Sequence, residues 1–260
     1  MDWQNYLYPE NEKPLDRLVE GYSNTSIFRK IAFVGDSLSS GEFETVNEKG
    51  EAEYHDMYEY SFGQYIARKN GLTAYNFSRG GLTAATYMKD YEEGYFYWDP
   101  QYASQAYVMA LGVNDLCYGG FETGTVEDID LKDPSKNKPT FAGNYAAIVQ
   151  RYKEIAPDAK FFFVTFAKTS NKLFASKAKE HRKLLYELAE LFDNCYVIDL
   201  YEFGPVHDDK FCENYFMYGH MNPMGYLFTA KIIDSYIDYI VRTNPNDFKT
   251  AGFINTNIKY

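Results

Sequence analysis

A serine and a histidine, far apart in the chain, are the residue types needed for nucleophilic catalysis. Ser37 ends a Gly-Asp-Ser segment directly after the apolar run Lys30 to Val34, and His220 lies in a loop before the last helical pattern. Histidine is well matched to removing a proton from a serine hydroxyl near neutral pH. Each residue alone is equally typical of a turn or a surface loop, so the prediction depends on what accompanies them.

Two further residues could stabilise the negative charge that develops when a hydroxyl attacks an ester. Gly81 ends a Gly-Gly pair after the apolar run Thr73 to Phe77, where a bare backbone N–H can approach a ligand. Asn114 follows the run Gln105 to Leu111 and offers a side-chain amide. Backbone N–H groups and amides are the usual donors to such an oxyanion. Both residues are also ordinary turn residues when taken singly.

Short apolar runs that alternate with helical patterns predict parallel strands joined by crossover helices. The predicted fold class is therefore α/β, a single domain with one open, doubly wound parallel sheet and helices on both faces. In such sheets, ligands bind at the carboxyl ends of the strands. Strands are predicted at Lys30 to Val34, Thr73 to Phe77, Gln105 to Leu111, Lys160 to Thr165 and Cys195 to Leu200. Helices are predicted at Met57 to Lys69, Leu82 to Asp90, Asn144 to Ile155, Lys172 to Phe192 and Pro223 to Arg242.

The composition narrows the range of partners. The formal net charge is -11 and no basic run is present, so neither nucleic acid nor an anionic membrane surface is expected as a partner. A small neutral ester remains a suitable substrate. The three cysteines form no close-set pair, and no secretory signal is recognisable, so a reduced, cytoplasmic setting is expected. The oligomeric state stays open.

The order and spacing of these four segments resemble the SGNH hydrolases, also called GDSL esterases and lipases, from about Lys30 to Arg242. The resemblance implies a three-layer α/β/α sandwich of the flavodoxin-like type, with five parallel strands and no metal or cofactor. It also implies that Ser37 is the nucleophile and His220 its general base. The backbone N–H groups of Ser37 and Gly81 and the Asn114 amide would form the oxyanion hole. The predicted boundaries are an N-terminal extension packed on the domain (1–29), the hydrolase domain (30–245) and a C-terminal tail (246–260).

One position departs from the family pattern. The family usually has an aspartate three residues before the histidine, and this chain has Met217 there. Three interpretations are open: a Ser-His dyad in which Nδ1 donates to a backbone carbonyl of its own loop, a carboxylate from elsewhere, or a weak or inactive site. We favour the dyad, because the other four groups are all present. The candidate displaced acids are Glu213, Asp208 and Asp209.

The predicted function is that of a serine esterase (EC 3.1.1.-), a carboxylic-ester hydrolase working through an acyl-enzyme. Small acyl esters, in particular acetyl esters of carbohydrates, are the expected substrates by analogy with the family. One alternative is an acyltransferase that uses the same residues. Another is a non-catalytic carbohydrate-binding domain, motivated by Met217 and by the aromatic run Tyr91 to Pro100, whose rings could stack on sugars or pack in the core.

Overall fold

The central feature of the fold is a five-stranded sheet, seen in a computed structural model that describes residues 4–7 and 9–258. The strands are β1 (Lys30–Gly35), β2 (Glu42–Val46), β3 (Ala52–Asp56), β4 (Thr73–Ser78), β5 (Ala106–Ala110), β6 (Lys160–Val164), β7 (Cys195–Ile198), β8 (Phe216–Met217) and β9 (His220–Met221). The strand order of the central sheet is β4-β1-β5-β6-β7, and every neighbouring pair is parallel. The other four strands form two antiparallel hairpins, β2–β3 and β8–β9. The five predicted strands are confirmed, with small shifts at their ends.

The five predicted helices are also confirmed, and capping residues explain where their starts differ. The helix predicted at Met57 to Lys69 begins at Phe62, because the Ser61 hydroxyl accepts a hydrogen bond from the backbone N–H of the third residue of the helix and caps it. The helix predicted at Asn144 to Ile155 begins earlier, at Phe141, because Thr140 caps it in the same way. The helices are α1 (Gln4–Leu7), α2 (Ser37–Ser40), α3 (Phe62–Asn70), α4 (Ala84–Glu92), α5 (Phe141–Ile155), α6 (Lys172–Leu191), α7 (Leu200–Phe203), α8 (Asp209–Tyr215), α9 (Pro223–Thr243) and α10 (Pro245–Phe248).

Helices cover both faces of the sheet, so its central strands are largely apolar, although β1 and β6 each begin with a lysine, Lys30 and Lys160. Every residue of β6 is buried, and its three phenylalanines alternate between the two faces. Phe161 and Phe163 pack with residues of α4, α5 and α6, whereas Phe162 packs with residues of α3 and α9. This confirms the three-layer α/β/α architecture.

The aromatic run Tyr91 to Pro100 is divided between the core and the surface. Tyr97 and Trp98 are buried, and the Trp98 ring stacks on Tyr152 with the ring centroids 4.4 Å apart. The Tyr95 and Phe96 rings stay exposed, at 41% and 54% of their surface. The run therefore contributes two rings to the core and leaves two at the surface.

The segment before β1 lies along α9. The Glu12 carboxylate pairs with Arg242, and the Ser23 hydroxyl donates to Asp234 over 2.6 Å. Residues 1–3 and 8 of the predicted extension and residues 259–260 of the predicted tail lie outside the described residues. Within residues 4–7 and 9–258, no helix is long and apolar enough to cross a membrane.

Candidate active site

Ser37 is the first residue of α2, immediately beyond the carboxyl end of β1. Asp36 caps this short helix, its Oδ1 atom accepting a hydrogen bond from the Leu38 N–H over 3.1 Å. A side chain at Gly35 would overlap the Ser39 hydroxyl, so the tight exit from the strand requires glycine there. Asp36 itself is buried, and burial raises the pKa of its carboxyl to about 6. The serine is thus presented at the sheet edge by a buried turn.

Gly81 and Asn114 lie at the same edge, because they follow β4 and β5, the two neighbours of β1. Gly81 has a φ of +72°, and the space where its side chain would be is open. The Asn114 Nδ2 atom donates to the Leu82 carbonyl over 3.2 Å, which ties the two turns together. A second link runs from the Ala84 N–H to Asp115, over 2.9 Å. The two predicted oxyanion donors therefore stand on turns that are held to each other.

His220 begins β9, and this strand packs against α2, which begins at Ser37. Its side chain is 14% exposed. The ring Nδ1 lies 3.0 Å from Oε2 of Glu44, and the same oxygen accepts the Gly219 N–H over 2.8 Å. A carboxylate only accepts hydrogen bonds, so Nδ1 is the protonated nitrogen of this contact. In a neutral ring, Nε2 is then the basic nitrogen.

This geometry corrects the expectation that Nδ1 donates to a backbone carbonyl of its own loop. The partner is a carboxylate, and it comes from β2, a strand that follows the nucleophile directly. The three candidate acids are engaged or placed elsewhere. Asp208 caps α8, Asp209 accepts the Ser170 hydroxyl over 2.7 Å, and Glu213 is exposed on α8.

The methionine at the family's aspartate position has a packing role. Met217 pairs with His220 across the β8–β9 hairpin and packs against the small apolar cluster of Phe43, Met221 and Tyr226. An aspartate there would meet apolar side chains, whereas the carboxylate at Glu44 approaches the ring from the other hairpin.

A second carboxylate contacts the other ring nitrogen. The Glu42 Oε1 atom lies 3.2 Å from Nε2 of His220. Burial raises the pKa of the Glu42 carboxyl; the His220 ring opposes that rise, and Asp56 and Glu44 add to it. Among the described residues, Ser37 Oγ makes no hydrogen bond, so the base and the proposed nucleophile are not bonded to each other here.

Sequence reasoning missed both glutamates, although a signal was present. Residues 42–46 alternate between acidic and apolar or β-branched side chains, and a turn at 47–50 separates them from a second such run. This pattern is typical of a β-hairpin. Glu42 and Glu44 are two residues apart on β2 and share the face toward His220, while Phe43 points into the apolar cluster.

Comparison with known proteins agrees with this fold. A family two carbohydrate esterase from Clostridium thermocellum, solved in complex with cellohexaose, has a TM-score of 0.59 and 16% identity, over 91% of this chain and 66% of that chain. A family 3 carbohydrate esterase from Talaromyces cellulolyticus has a TM-score of 0.54 and 12% identity, over 83% and 99%. At such identities the likeness extends to the fold only. A search of curated protein sequences finds no match.

The sequence-based match is more specific than these structural ones. The model of the GDSL-like lipase/acylhydrolase family matches residues 33–227, a span that includes the strand before Ser37 and the loop carrying His220. The matched span is well over half of the chain and confirms the predicted family and the predicted class of hydrolytic esterase. The chain belongs to the GDSL-like lipase/acylhydrolase family.

Proposed function

We propose that the protein is a serine ester hydrolase in which Ser37 is the nucleophile, His220 the general base and Glu44 the residue that positions the base. The observation that carries the proposal is the contact between His220 Nδ1 and Glu44 Oε2, 3.0 Å long, in a histidine whose strand packs on the serine's helix. A carboxylate on Nδ1 holds the ring in one tautomer and stabilises its protonated form. Glu44 thus takes the role that Met217 cannot fill.

The reaction would proceed through an acyl-enzyme. His220 Nε2 takes the Ser37 proton as Oγ attacks the ester carbonyl, and the resulting oxyanion accepts hydrogen bonds from the Ser37 and Gly81 N–H groups and the Asn114 amide. The protonated ring gives its proton to the leaving alcohol as the ester bond breaks. Water, deprotonated by Nε2, then attacks the acyl-enzyme, and the acid leaves as Ser37 regains its proton.

Small acyl esters, and acetyl esters of carbohydrates among them, are the proposed substrates. Two observations support this choice. Several proteins of similar fold are named carbohydrate esterases. The Tyr54 ring, which is 57% exposed, lies edge-on to His220 with centroids 5.6 Å apart, and an exposed ring beside the base suits a sugar face.

The test is hydrolysis of p-nitrophenyl acetate by the wild type and by Ser37→Ala and His220→Asn. Each variant should lose at least about 10³-fold in kcat/KM, because the serine and histidine act as a unit. Ser176→Ala, on the surface of α6, and His55→Asn, on the exposed β3, are the matched controls and should keep wild-type rates. Equal rates in wild type and Ser37→Ala would overturn the serine mechanism. Release of p-nitrophenol from acetyl but not decanoyl esters would support the small-acyl substrate.

A further inference from the structure

The Glu42 side chain occupies space that the proposed reaction needs. Its Oε1 atom lies 3.2 Å from His220 Nε2, the nitrogen that must face Ser37. Its Oε2 atom lies so close to Gly80 that a side chain there would overlap it. Gly80 directly precedes Gly81, a proposed oxyanion donor. The carboxylate therefore spans the gap between the base and the oxyanion turn, and it is only 13% exposed.

The donors and acceptors of these groups indicate that the arrangement is a resting state. Glu44 Oε2 receives the proton on Nδ1, so a neutral His220 would present a lone pair at Nε2 to Glu42, which also has only lone pairs when ionised. The contact is favourable only with one additional proton, on the ring or on the Glu42 carboxyl. In either case Nε2 is occupied and cannot accept the Ser37 proton.

We infer that Glu42 is an internal competitor for the acyl site: its carboxylate stands where the acyl group of the substrate and the carboxylate of the product would bind, and a substrate must displace it. This inference rests on the proposed function. The acid released from an acyl-enzyme has one oxygen near Nε2 and the other near the oxyanion donors. Oε1 and Oε2 of Glu42 approach the same two places, the ring nitrogen and the turn at Gly80.

The contacts of Glu42 hold its backbone more firmly than its side chain. The Tyr226 hydroxyl donates to the Glu42 carbonyl over 2.6 Å, so β2 stays against α9. The side chain has one ring nitrogen as its ion-pair partner, and two other carboxylates, Asp56 and Glu44, act on it unfavourably. Rotation about the side-chain bonds would release Nε2 with no change of the fold.

The experiment measures KM, kcat and the inhibition constant for acetate ion with Glu42→Ala and Glu42→Gln. Removal of the competitor should lower both KM for p-nitrophenyl acetate and the acetate inhibition constant by about tenfold, because the competent fraction of sites rises. The value of kcat should not fall. Glu42→Gln, which keeps the shape of the side chain, should change both constants in the same direction by a smaller factor. Glu53→Ala, on the exposed strand of the same hairpin, is the control and should leave both unchanged.

Two results would overturn the inference. A fall in kcat of tenfold or more with KM unchanged would mean that Glu42 takes part in the reaction itself. An acetate constant equal to that of the wild type would mean that it does not compete. Acetate binding measured by calorimetry separates this inference from the proposed function. If no ester is hydrolysed, tighter acetate binding by Glu42→Ala still supports the competitor, and equal binding by the two proteins rejects it.

Discussion

The carboxyl edge of the parallel sheet and the β2–β3 hairpin both supply groups to the site, and they are held in different ways. Ser37, Gly81 and Asn114 follow three neighbouring strands of the sheet, β1, β4 and β5, and two carboxylates close to them in sequence, Asp36 and Asp115, are buried. The hairpin is antiparallel and two-stranded, and every residue of β3 is exposed. Its carboxylate at Glu44 is fixed by contacts to the β8–β9 hairpin. The sheet thus positions the proposed nucleophile and oxyanion donors, whereas a few polar contacts position the proposed base.

The largest expected effect tests the polar contact between Glu44 and His220. Glu44→Gln should lower kcat by up to about 10⁴-fold with little change in KM, since the amide carries no charge to stabilise the protonated ring. Glu44→Asp should restore part of the rate. Steady-state kinetics on p-nitrophenyl acetate give both constants, and Glu53→Gln on β3 is the control. If Glu44→Gln keeps the wild-type kcat, the base has another source of orientation.

A second prediction compares how much the buried sheet and the exposed hairpin contribute to the free energy of unfolding. Phe162→Ala should lower the free energy of unfolding by about 3–5 kcal/mol, because the ring is fully buried in the middle of β6. Tyr54→Ala, on the exposed strand of the hairpin, should lower it by less than about 0.5 kcal/mol. Urea unfolding followed by fluorescence measures both. Comparable losses in the two variants would mean that the hairpin is as important to the fold as the sheet.

The third and smallest expected effect is a pH dependence of stability that arises from the buried Asp115. Burial raises the pKa of Asp115 to about 7, with the negative charge of Asp36 adding to the rise and the backbone N–H groups of α4 opposing it. Between about pH 4 and pH 7 the Asp115 carboxyl therefore stays protonated in the folded state and loses its proton in the unfolded state. The contribution of Asp115 to the free energy of unfolding thus falls as the pH rises from about 4 to about 7. Relative to Asp115→Asn, the wild type should lose about 3 kcal/mol over that range.

Urea unfolding at pH 4.5 and pH 7.5 gives the difference between the two proteins. Asp130→Asn, in the loop between β5 and α5, is the matched control because its carboxylate accepts hydrogen bonds from backbone N–H groups of its own loop. If the difference in free energy of unfolding between wild type and Asp115→Asn is the same at the two pH values, the pKa of Asp115 does not change on folding.

The sheet and the edge that presents the site were predictable because their signals are local. The runs before Ser37, Gly81 and Asn114 are short and rich in apolar and β-branched residues, a composition typical of strands. Parallel strands bring their carboxyl ends to one edge, so three turns distant in sequence become neighbours. Among the strands and helices that were predicted, only the end residues differ from the structure. At α3, for example, the hydrogen bond to the Ser61 hydroxyl fixes where the helix begins.

The carboxylates on the histidine were not predictable in the same way. Glu42 and Glu44 alternate along a short strand, and such charges usually face solvent. Their contacts with His220 depend on how one hairpin packs against the other, across more than 170 residues of sequence. That packing is a tertiary property: Phe43 and Met221 join two hairpins through apolar contact, and no local pattern reports it.

The contact between Glu44 and His220 also has a consequence for how this enzyme type can diversify. In the family pattern the acid and the base share one loop, so they are inherited together. Here the proposed acid shares a segment with the proposed nucleophile, and a transfer of residues 35–56 to another protein would carry Ser37, Glu42 and Glu44 together. A recipient scaffold would need to contribute only the histidine loop. Exchange of residues 35–56 would therefore move the proposed nucleophile and the proposed acid together, independently of the histidine loop.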